Sequence, residues 1–216
     1  MPKHPFAPSG LTKDSKILIL GSFPSVASRE EGFYYAHPQN RFWRVLELLF
    51  KERSVMPNST TPQAIFLEQN TASHIPKADY KHISLSMQSM ATKIAFLKSH
   101  LFVLWDIVYS CEIIGSSDST LKNIVFNDVF NLLHSSKIKA ICLNGTKATM
   151  LFQKYCKNQN LSLMLHSHSH YKTLTPITSQ KFGREIAIFS LPSTSPANAK
   201  YSLDNLLNAW KVLLEI

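Results

Sequence analysis

The chain has 216 residues, of which 44% are hydrophobic and 17% are charged, a composition typical of a globular domain. Its 23 Lys and Arg exceed its 14 Asp and Glu, so the formal net charge is +9 and an anionic partner such as nucleic acid is favoured. Three scattered cysteines without a CxxC pair argue against a disulfide framework and against a zinc or iron–sulfur cage, and no apolar run approaches the roughly 20 residues of a membrane span. We expect one domain over residues 1–216 that is monomeric, binds no membrane and is intracellular, in the cytoplasm of a prokaryote or the nucleus of a eukaryote.

The first part of the chain predicts a lead-in, a buried strand, a loop and a helix. Residues 1–16 contain three prolines and a glycine, which predict an extended lead-in. The short apolar run Ile17–Leu20, closed by Gly21, predicts a buried strand. After a turn-rich loop with many aromatic residues, helical spacing predicts a helix from about Pro38 to Phe50, with Asn40 near its start.

Three more buried strands are predicted farther along the chain, at Leu101–Trp105, Lys139–Leu143 and Ile186–Leu191. Apolar residues at helical spacing predict helices before or after each of them, including a last helix that Ser202 caps. In the polar remainder we predict only minor elements: a short helix near Gln63–Gln69, a turn at Asp118–Thr120 and one exposed strand at Leu161–Leu165.

Strands that alternate with helices imply a mainly parallel sheet with both faces covered. In such a sheet the functional site lies beyond the carboxyl ends of the strands. Four loops should therefore meet there: the loop after Gly21, the end of the second strand at Asp106, the Asn144-Gly145 turn, and the segment from Pro192 to Asn198.

Common phosphate-binding and hydrolase motifs are missing, because the sequence contains no GxGxxG, GxxxxGK[ST], GxSxG or HExxH. The three histidines of the segment from His166 to His170 occupy alternate positions, which on a strand would place three imidazoles on one side as metal ligands. The alternative is a solvated polar loop. The segment LPSTSPAN, with Lys200 just beyond it, combines a stiff backbone with hydroxyl donors that could face a phosphate.

Two long motifs in register carry a resemblance to a known family. GSFPSVAS…FYYAHPQNRFW together with LPSTSPAN resembles the uracil-DNA glycosylase superfamily, and most closely its hypoxanthine-DNA glycosylase branch. The resemblance spans most of the chain from Ile17 onward. It implies an α/β fold, a three-layer α/β/α sandwich on a central four-stranded parallel sheet, and repair of deaminated bases in double-stranded DNA by base flipping, without a cofactor or metal.

The resemblance also implies roles for individual residues. Asn40 matches the catalytic residue that positions and polarises the hydrolytic water at the sugar C1′. Phe42 matches the aromatic residue that stacks on the extruded base, and Asp106 falls where relatives contact the base edge. Phe23 and Tyr35 are expected to complete the base-binding set. The residues expected to hold DNA are Ser22, Pro24, Ser25, Ser193, Thr194, Ser195, Asn198 and Lys200.

Departures from other branches favour hypoxanthine over uracil as the excised base. Ser22-Phe23 stands where other branches carry Gln-Asp or Ile-Asn, so the usual water-activating residue is missing and Asn40 must substitute. Leu191 replaces the histidine of the classical uracil enzymes, which removes one stabiliser of a uracil anion. No lysine lies inside either motif, so no lyase step is expected.

Two other functions remain open from the sequence. The first is a damaged-DNA-binding module of the same fold with weak or lost catalysis. The second is a metal-dependent hydrolase that uses His166, His168 and His170, which would lose activity in EDTA.

Overall fold

The computed structural model describes residues 2–51, 84–113, 121–179 and 182–216. The helix predicted near 63–69 and the turn predicted at 118–120 lie outside these ranges. In chain order the strands are β1 (Ile17–Gly21), β2 (Phe102–Asp106), β3 (Val108–Glu112), β4 (Lys122–Phe126), β5 (Ala140–Asn144), β6 (Leu165–Ser167), β7 (Lys172–Ser179) and β8 (Arg184–Leu191). The α-helices are α1 (Val26–Glu31), α2 (Phe42–Lys51), α3 (Met90–Ser99), α4 (Val129–His134), α5 (Thr146–Asn158) and α6 (Leu203–Trp210), with 3₁₀ turns at Leu85–Met87 and Lys211–Leu214.

The main sheet has the strand order β2-β1-β5-β8-β7-β6. The first four of these strands are parallel to one another, and they are the four strands that the sequence predicts. The predicted four-stranded parallel sheet is confirmed, and β7 and β6 extend it to six strands with antiparallel pairs. A separate two-stranded sheet, β3 with β4, was not predicted.

Strand β7 escaped prediction for a physical reason. Its two buried apolar residues, Leu174 and Ile177, are three positions apart, because the pairing with β8 shifts register between them. That irregularity breaks the period of two by which a half-buried strand is recognised. The exposed strand predicted at 161–165 instead begins at Leu165, where β6 pairs with Leu174.

Both faces of the parallel strands are buried, which makes the fold a three-layer α/β/α sandwich as predicted. Leu18 and Leu20 of β1 belong to a core cluster shared with α4 and α5, whereas Ile17 and Ile19 belong to the opposite cluster, shared with α2 and α6. This alternation follows from the pleat, which points successive side chains to opposite faces. No helix in the described part of the chain is long and apolar enough to cross a membrane.

The extended lead-in is part of the fold. Ser9 pairs with Leu104 through two backbone hydrogen bonds of 2.9 Å, and Lys3 forms a bridge with Ser110. Since β2 is the edge strand of the main sheet, this pairing covers an edge that would otherwise expose unpaired backbone groups. It also brings the side chains of the first few residues toward the end of β2.

Candidate active site

The carboxyl ends of the four parallel strands meet in one pocket, as the topology predicts. Gly21 lies opposite Asp106 in the β1–β2 pair, and Asn144 lies opposite Leu191 in the β5–β8 pair, so the loops start at similar levels. Of the residues that the sequence predicts for the site, those that line this pocket are Ser22, Phe23, Pro24, Ser25, Tyr35, Asn40, Asp106, Ser193, Thr194 and Ser195.

Asn40 is held in place just before α2. Its backbone N–H donates to the His37 carbonyl at 2.8 Å, and its side-chain Oδ1 accepts the Phe42 N–H at 3.0 Å. Helix α2 begins at Phe42, four residues later than the predicted start at Pro38, and its first helical hydrogen bond runs from the Val45 N–H to the Arg41 carbonyl at 2.8 Å. A carbonyl oxygen has two lone pairs, so Oδ1 can accept from a water while it holds Phe42.

Arg41, which the sequence analysis did not select, joins the Asn40 segment to the loop after β8. Its guanidinium donates to the carbonyls of Ser195 at 2.8 Å and Asn198 at 3.0 Å, and also to the carbonyl of Tyr201. Its backbone N–H donates to the Thr194 carbonyl at 3.1 Å. One signal for this role is present in the sequence: Arg41 is the one Lys or Arg residue in the FYYAHPQNRFW motif, which is rich in aromatic residues.

The loop after β8 is also fixed to the end of β5. Asn144 donates from Nδ2 to Thr194 Oγ1 and accepts the Thr194 N–H at Oδ1, each at 3.0 Å. Thr194 is fully buried. Gly145 has a φ of +105°, and a Cβ there would lie 2.8 Å from the Cβ of Ser193. Asn144 lines the pocket, although it was predicted only as part of a loop.

Two residues predicted to bind DNA lie outside the pocket lining. Asn198 donates from Nδ2 to the Ser193 carbonyl at 2.8 Å, so in this structure its amide supports the loop from within. Lys200 is exposed, with its ammonium 5.7 Å from the ring centroid of Tyr201. Its role in binding DNA stays a prediction.

Three aromatic residues, Phe23, Tyr34 and Tyr35, line the pocket, whereas Phe42 does not, so its role in stacking on a base stays a prediction. The Phe42 ring has no exposed surface, because Tyr35 stacks on it with ring centroids 4.0 Å apart and Trp43 and Trp210 contact it edge-on. Tyr35 also has a φ of +55°, a backbone conformation that non-glycine residues rarely adopt.

Asp106, at the end of β2, is 3% exposed and hydrogen-bonds to His4. The His4 Nε2 lies 2.8 Å from Asp106 Oδ2. The other carboxylate oxygen, Asp106 Oδ1, lies against Gly21. A Cβ added at Gly21 would lie 2.1 Å from this oxygen. Burial, and next the charge of Asp106, raise the pKa of the neighbouring Tyr34, so its hydroxyl stays protonated. This hydroxyl donates to the Ala7 carbonyl at 3.2 Å. The sequence analysis missed His4 because it lies in a proline-rich lead-in far from either motif.

The three histidines at 166, 168 and 170 are exposed and lie at or just beyond β6, at the opposite edge of the main sheet from β2. His168 hydrogen-bonds to Thr173 Oγ1 at 2.9 Å and stacks on Tyr171. Within the described residues, no group of three or more His, Cys, Asp or Glu is arranged to hold a metal ion.

A family model described as "Uracil DNA glycosylase superfamily" matches residues 8–214. The chain belongs to the uracil DNA glycosylase superfamily. A protein named hypoxanthine DNA glycosylase from Methanosarcina acetivorans is 29% identical over 144 residues, which cover 65% of this chain and 70% of that protein. One of the same name from Methanosarcina barkeri is 25% identical over 150 residues, covering 68% and 74%. Both relatives support the branch that the two motifs indicate.

The fold of this superfamily member also has a solved counterpart. The solution NMR structure of a candidate uracil DNA glycosylase from Methanosarcina acetivorans superposes with a TM-score of 0.58, at 23% identity and over 96% of both chains. At that identity the similarity shows the fold alone, and it agrees with the layered architecture described above.

Proposed function

We propose that this protein is a monofunctional DNA glycosylase that extrudes a deaminated base from duplex DNA, with hypoxanthine favoured and uracil as a second substrate. It hydrolyses the N-glycosidic bond and leaves an abasic site. The observation that carries the proposal is the pocket of a uracil DNA glycosylase superfamily member in which Asn40, Asp106 and the loop from Ser193 to Ser195 meet. It needs no metal or other cofactor.

The loop after β8 supplies the contacts to the DNA backbone. Ser193 Oγ accepts the Ser195 N–H at 3.2 Å, and Ser195 Oγ accepts the Ala197 N–H at 3.3 Å. Each hydroxyl therefore keeps its own O–H to donate to a phosphate oxygen. Because these contacts and the +9 net charge both favour phosphate, binding to duplex DNA should weaken as salt rises.

Asn40 orients the water that attacks C1′ of the extruded nucleotide. The water oxygen forms a bond to C1′ and the bond from C1′ to the base nitrogen breaks, with its electron pair leaving on the base. The water releases one proton to become the C1′ hydroxyl, and the departing base takes up one proton. An amide is a weak base, and it suffices where the base departs before the water has fully added. Among the described residues no lysine lines the pocket, so we propose no Schiff-base step.

Residues around the pocket favour hypoxanthine over uracil. Leu191 is buried and offers no polar side chain to an anionic uracil, and Phe23 takes a position where other branches carry a polar residue. Asp106 supplies an acceptor for the N1–H of hypoxanthine. A base pair that contains hypoxanthine is weaker than an undamaged pair. The protein therefore has to supply less of the few kcal/mol that extrusion of the base costs.

The test is alkali-induced strand cleavage in EDTA on duplexes that carry a single deoxyinosine or a single deoxyuridine. We expect excision of hypoxanthine by the wild-type protein, and a loss of about 10²- to 10⁴-fold in Asn40→Ala. Gln39→Ala is the matched control, because Gln39 is the exposed residue immediately before Asn40. It should excise at the wild-type rate.

Equal excision by Asn40→Ala and the wild type would contradict the assigned chemistry. Tight binding to damaged duplex with no excision of either base would favour the binding-module alternative. Activity that disappears in EDTA would favour a metal-dependent mechanism, and substitution of His166, His168 and His170 would then locate it.

A further inference from the structure

A buried histidine from the lead-in contacts the carboxylate that lines the pocket. The side chains of His4 and Asp106 are 1% and 4% exposed, and His4 Nε2 lies 2.8 Å from Asp106 Oδ2. The two residues are 102 positions apart in the chain. Two charged or polar groups are rarely buried together unless they satisfy each other, so this pair is a specific feature of the site.

The second ring nitrogen of His4 contacts Phe6. Its Nδ1 lies 2.8 Å from the Phe6 carbonyl oxygen and 3.2 Å from the Phe6 nitrogen. In the imidazolium both ring nitrogens donate, to Phe6 and to Asp106. In the neutral ring with Nδ1 accepting the Phe6 N–H, Nε2 still carries a hydrogen toward Asp106. In these two arrangements His4 donates to the carboxylate, whereas a neutral ring with its hydrogen on Nδ1 would donate to Phe6 and accept at Nε2 from a protonated Asp106.

His4 is held rigidly enough for this task. Its backbone N–H donates to the Tyr109 carbonyl, and the antiparallel pairing of Ser9 with Leu104 anchors the segment that follows. The rings of Phe6, Phe23 and Tyr34 contact the imidazole with centroid distances of 5.5, 6.1 and 6.0 Å. The imidazole therefore has little room to turn away from Asp106.

The two oxygens of Asp106 are thereby divided between two tasks. Oδ2 is bound by His4, whereas Oδ1 lies beside Gly21, a residue that also lines the pocket. A carboxyl group in a dry pocket can take up a proton and become a donor, but hydrogen bonds donated to it favour its acceptor form. With His4 on one oxygen, the other is left as an acceptor for a base.

We propose that His4 is a positioning residue that keeps Asp106 a hydrogen-bond acceptor, so that the pocket selects purines carrying a hydrogen at N1. The inference rests on the proposed glycosylase function. Deamination of adenine replaces the 6-amino group with a carbonyl oxygen and changes N1 from an acceptor into an N–H donor, so N1 is one of the two edge positions that distinguish hypoxanthine from adenine. An acceptor at Oδ1 attracts the N1–H of hypoxanthine and repels the N1 lone pair of adenine.

The experiment compares five variants by single-turnover excision from a deoxyinosine duplex: His4→Phe, His4→Gln, His4→Asn, Asp106→Asn alone, and a double variant. His4→Phe keeps a ring of similar shape without a donor. His4→Gln places an amide N–H near the Nε2 position, whereas His4→Asn is too short to reach Asp106. Asp106→Asn is combined with His4→Phe in a double variant. Affinity for undamaged duplex and the thermal unfolding midpoint are measured for each.

We expect His4→Phe and His4→Asn to lower the excision rate by about 10- to 100-fold, the value of a hydrogen bond to a charged group. His4→Gln should restore most of the rate, and affinity for undamaged duplex should stay unchanged. When Asp106 is already replaced by Asn, adding His4→Phe should lower the excision rate little further, because His4 acts through Asp106. Ser9→Ala, in the same lead-in, is the control that should excise normally.

Wild-type rates in the folded His4→Phe or His4→Asn variant would overturn the inference and leave the proposed function standing. The inference would also be overturned if His4→Gln were as slow as His4→Phe, or if the two losses multiplied in the double variant. If His4→Phe does not fold, the comparison is made with His4→Asn, which also removes the donor to Asp106. A wild-type protein that does not excise hypoxanthine would overturn both proposals together.

Discussion

Arg41→Met tests whether the guanidinium holds the loop after β8 against the Asn40 segment. The substitution removes three hydrogen bonds to backbone carbonyls, those of Ser195, Asn198 and Tyr201. Hydrogen bonds to charged groups contribute about 1.5–3 kcal/mol each, and because Arg41 is only half-buried we take about 1 kcal/mol apiece. The expected loss is therefore about 3 kcal/mol in the free energy of unfolding.

For a chain of this length, a loss of that size corresponds to a fall of about 6–12 °C in the unfolding midpoint. The assay is thermal unfolding followed by circular dichroism, together with excision from a deoxyinosine duplex. Excision should fall more than stability alone explains, because the same carbonyls fix the Ser193–Ser195 segment beside Asn40. Lys157→Met removes an exposed positive charge elsewhere and should change the midpoint by no more than about 1–2 °C.

Arg41→Lys separates charge from geometry. A lysine keeps the positive charge but lacks the planar fork that reaches three carbonyls at once, so we expect it to recover less than half of the lost stability. An Arg41→Met protein that unfolds and excises like the wild type would refute the reasoning. Full recovery by Arg41→Lys would show that charge alone matters.

Three further outcomes are expected. Gly145→Ala should slow excision, measured by strand cleavage, because its φ of +105° and the 2.8 Å approach to the Ser193 Cβ force the loop to move; unchanged activity would mean that the loop tolerates the shift. Thr194→Val should lower the free energy of unfolding, measured by urea denaturation, by about 1–3 kcal/mol, because the Asn144 Nδ2 loses its hydrogen-bond partner. Thr194→Ser keeps a hydroxyl and should recover most of this loss. Burial raises the pKa of the Cys156 thiol to about 12, so the unfolded chain releases this proton first and stability should fall as pH rises from about 9 toward 12. Cys156→Ala should make that part of the pH profile less steep, and the remaining slope should come from Cys142, Tyr34 and Tyr155, whose pKa values burial also raises.

Much of the fold follows from local sequence patterns. Runs such as Ile17–Leu20 are apolar and short, so each predicts a buried strand, and all four predicted core strands are present. The meeting of four loops at one edge then follows from parallel topology, which requires no knowledge of side-chain contacts. The two motifs add the family, which the match over residues 8–214 bears out.

Other elements could not be read from local patterns. The register shift in β7 hides its apolar period, and α2 begins at Phe42 because Pro38 and Gln39 form a turn that the Asn40 N–H closes on the His37 carbonyl. The same motif contains both Tyr35 and Phe42, and only packing decides that Tyr35 faces the pocket while Phe42 lies behind it. Periodicity predicts which residues are buried, but it does not predict which of two nearby aromatic rings lines the pocket and which lies behind it.

By itself, the sequence determined the four parallel core strands, the end of the sheet where their loops meet, and the family. Tertiary structure decided which side chains act together there: His4 with Asp106, Asn144 with Thr194, and Arg41 with the carbonyls of the loop after β8. The physical reason is range. Strand and helix signals arise within about ten residues, whereas these contacts join groups 102, 50 and 154 positions apart, which only the folded sheet brings together.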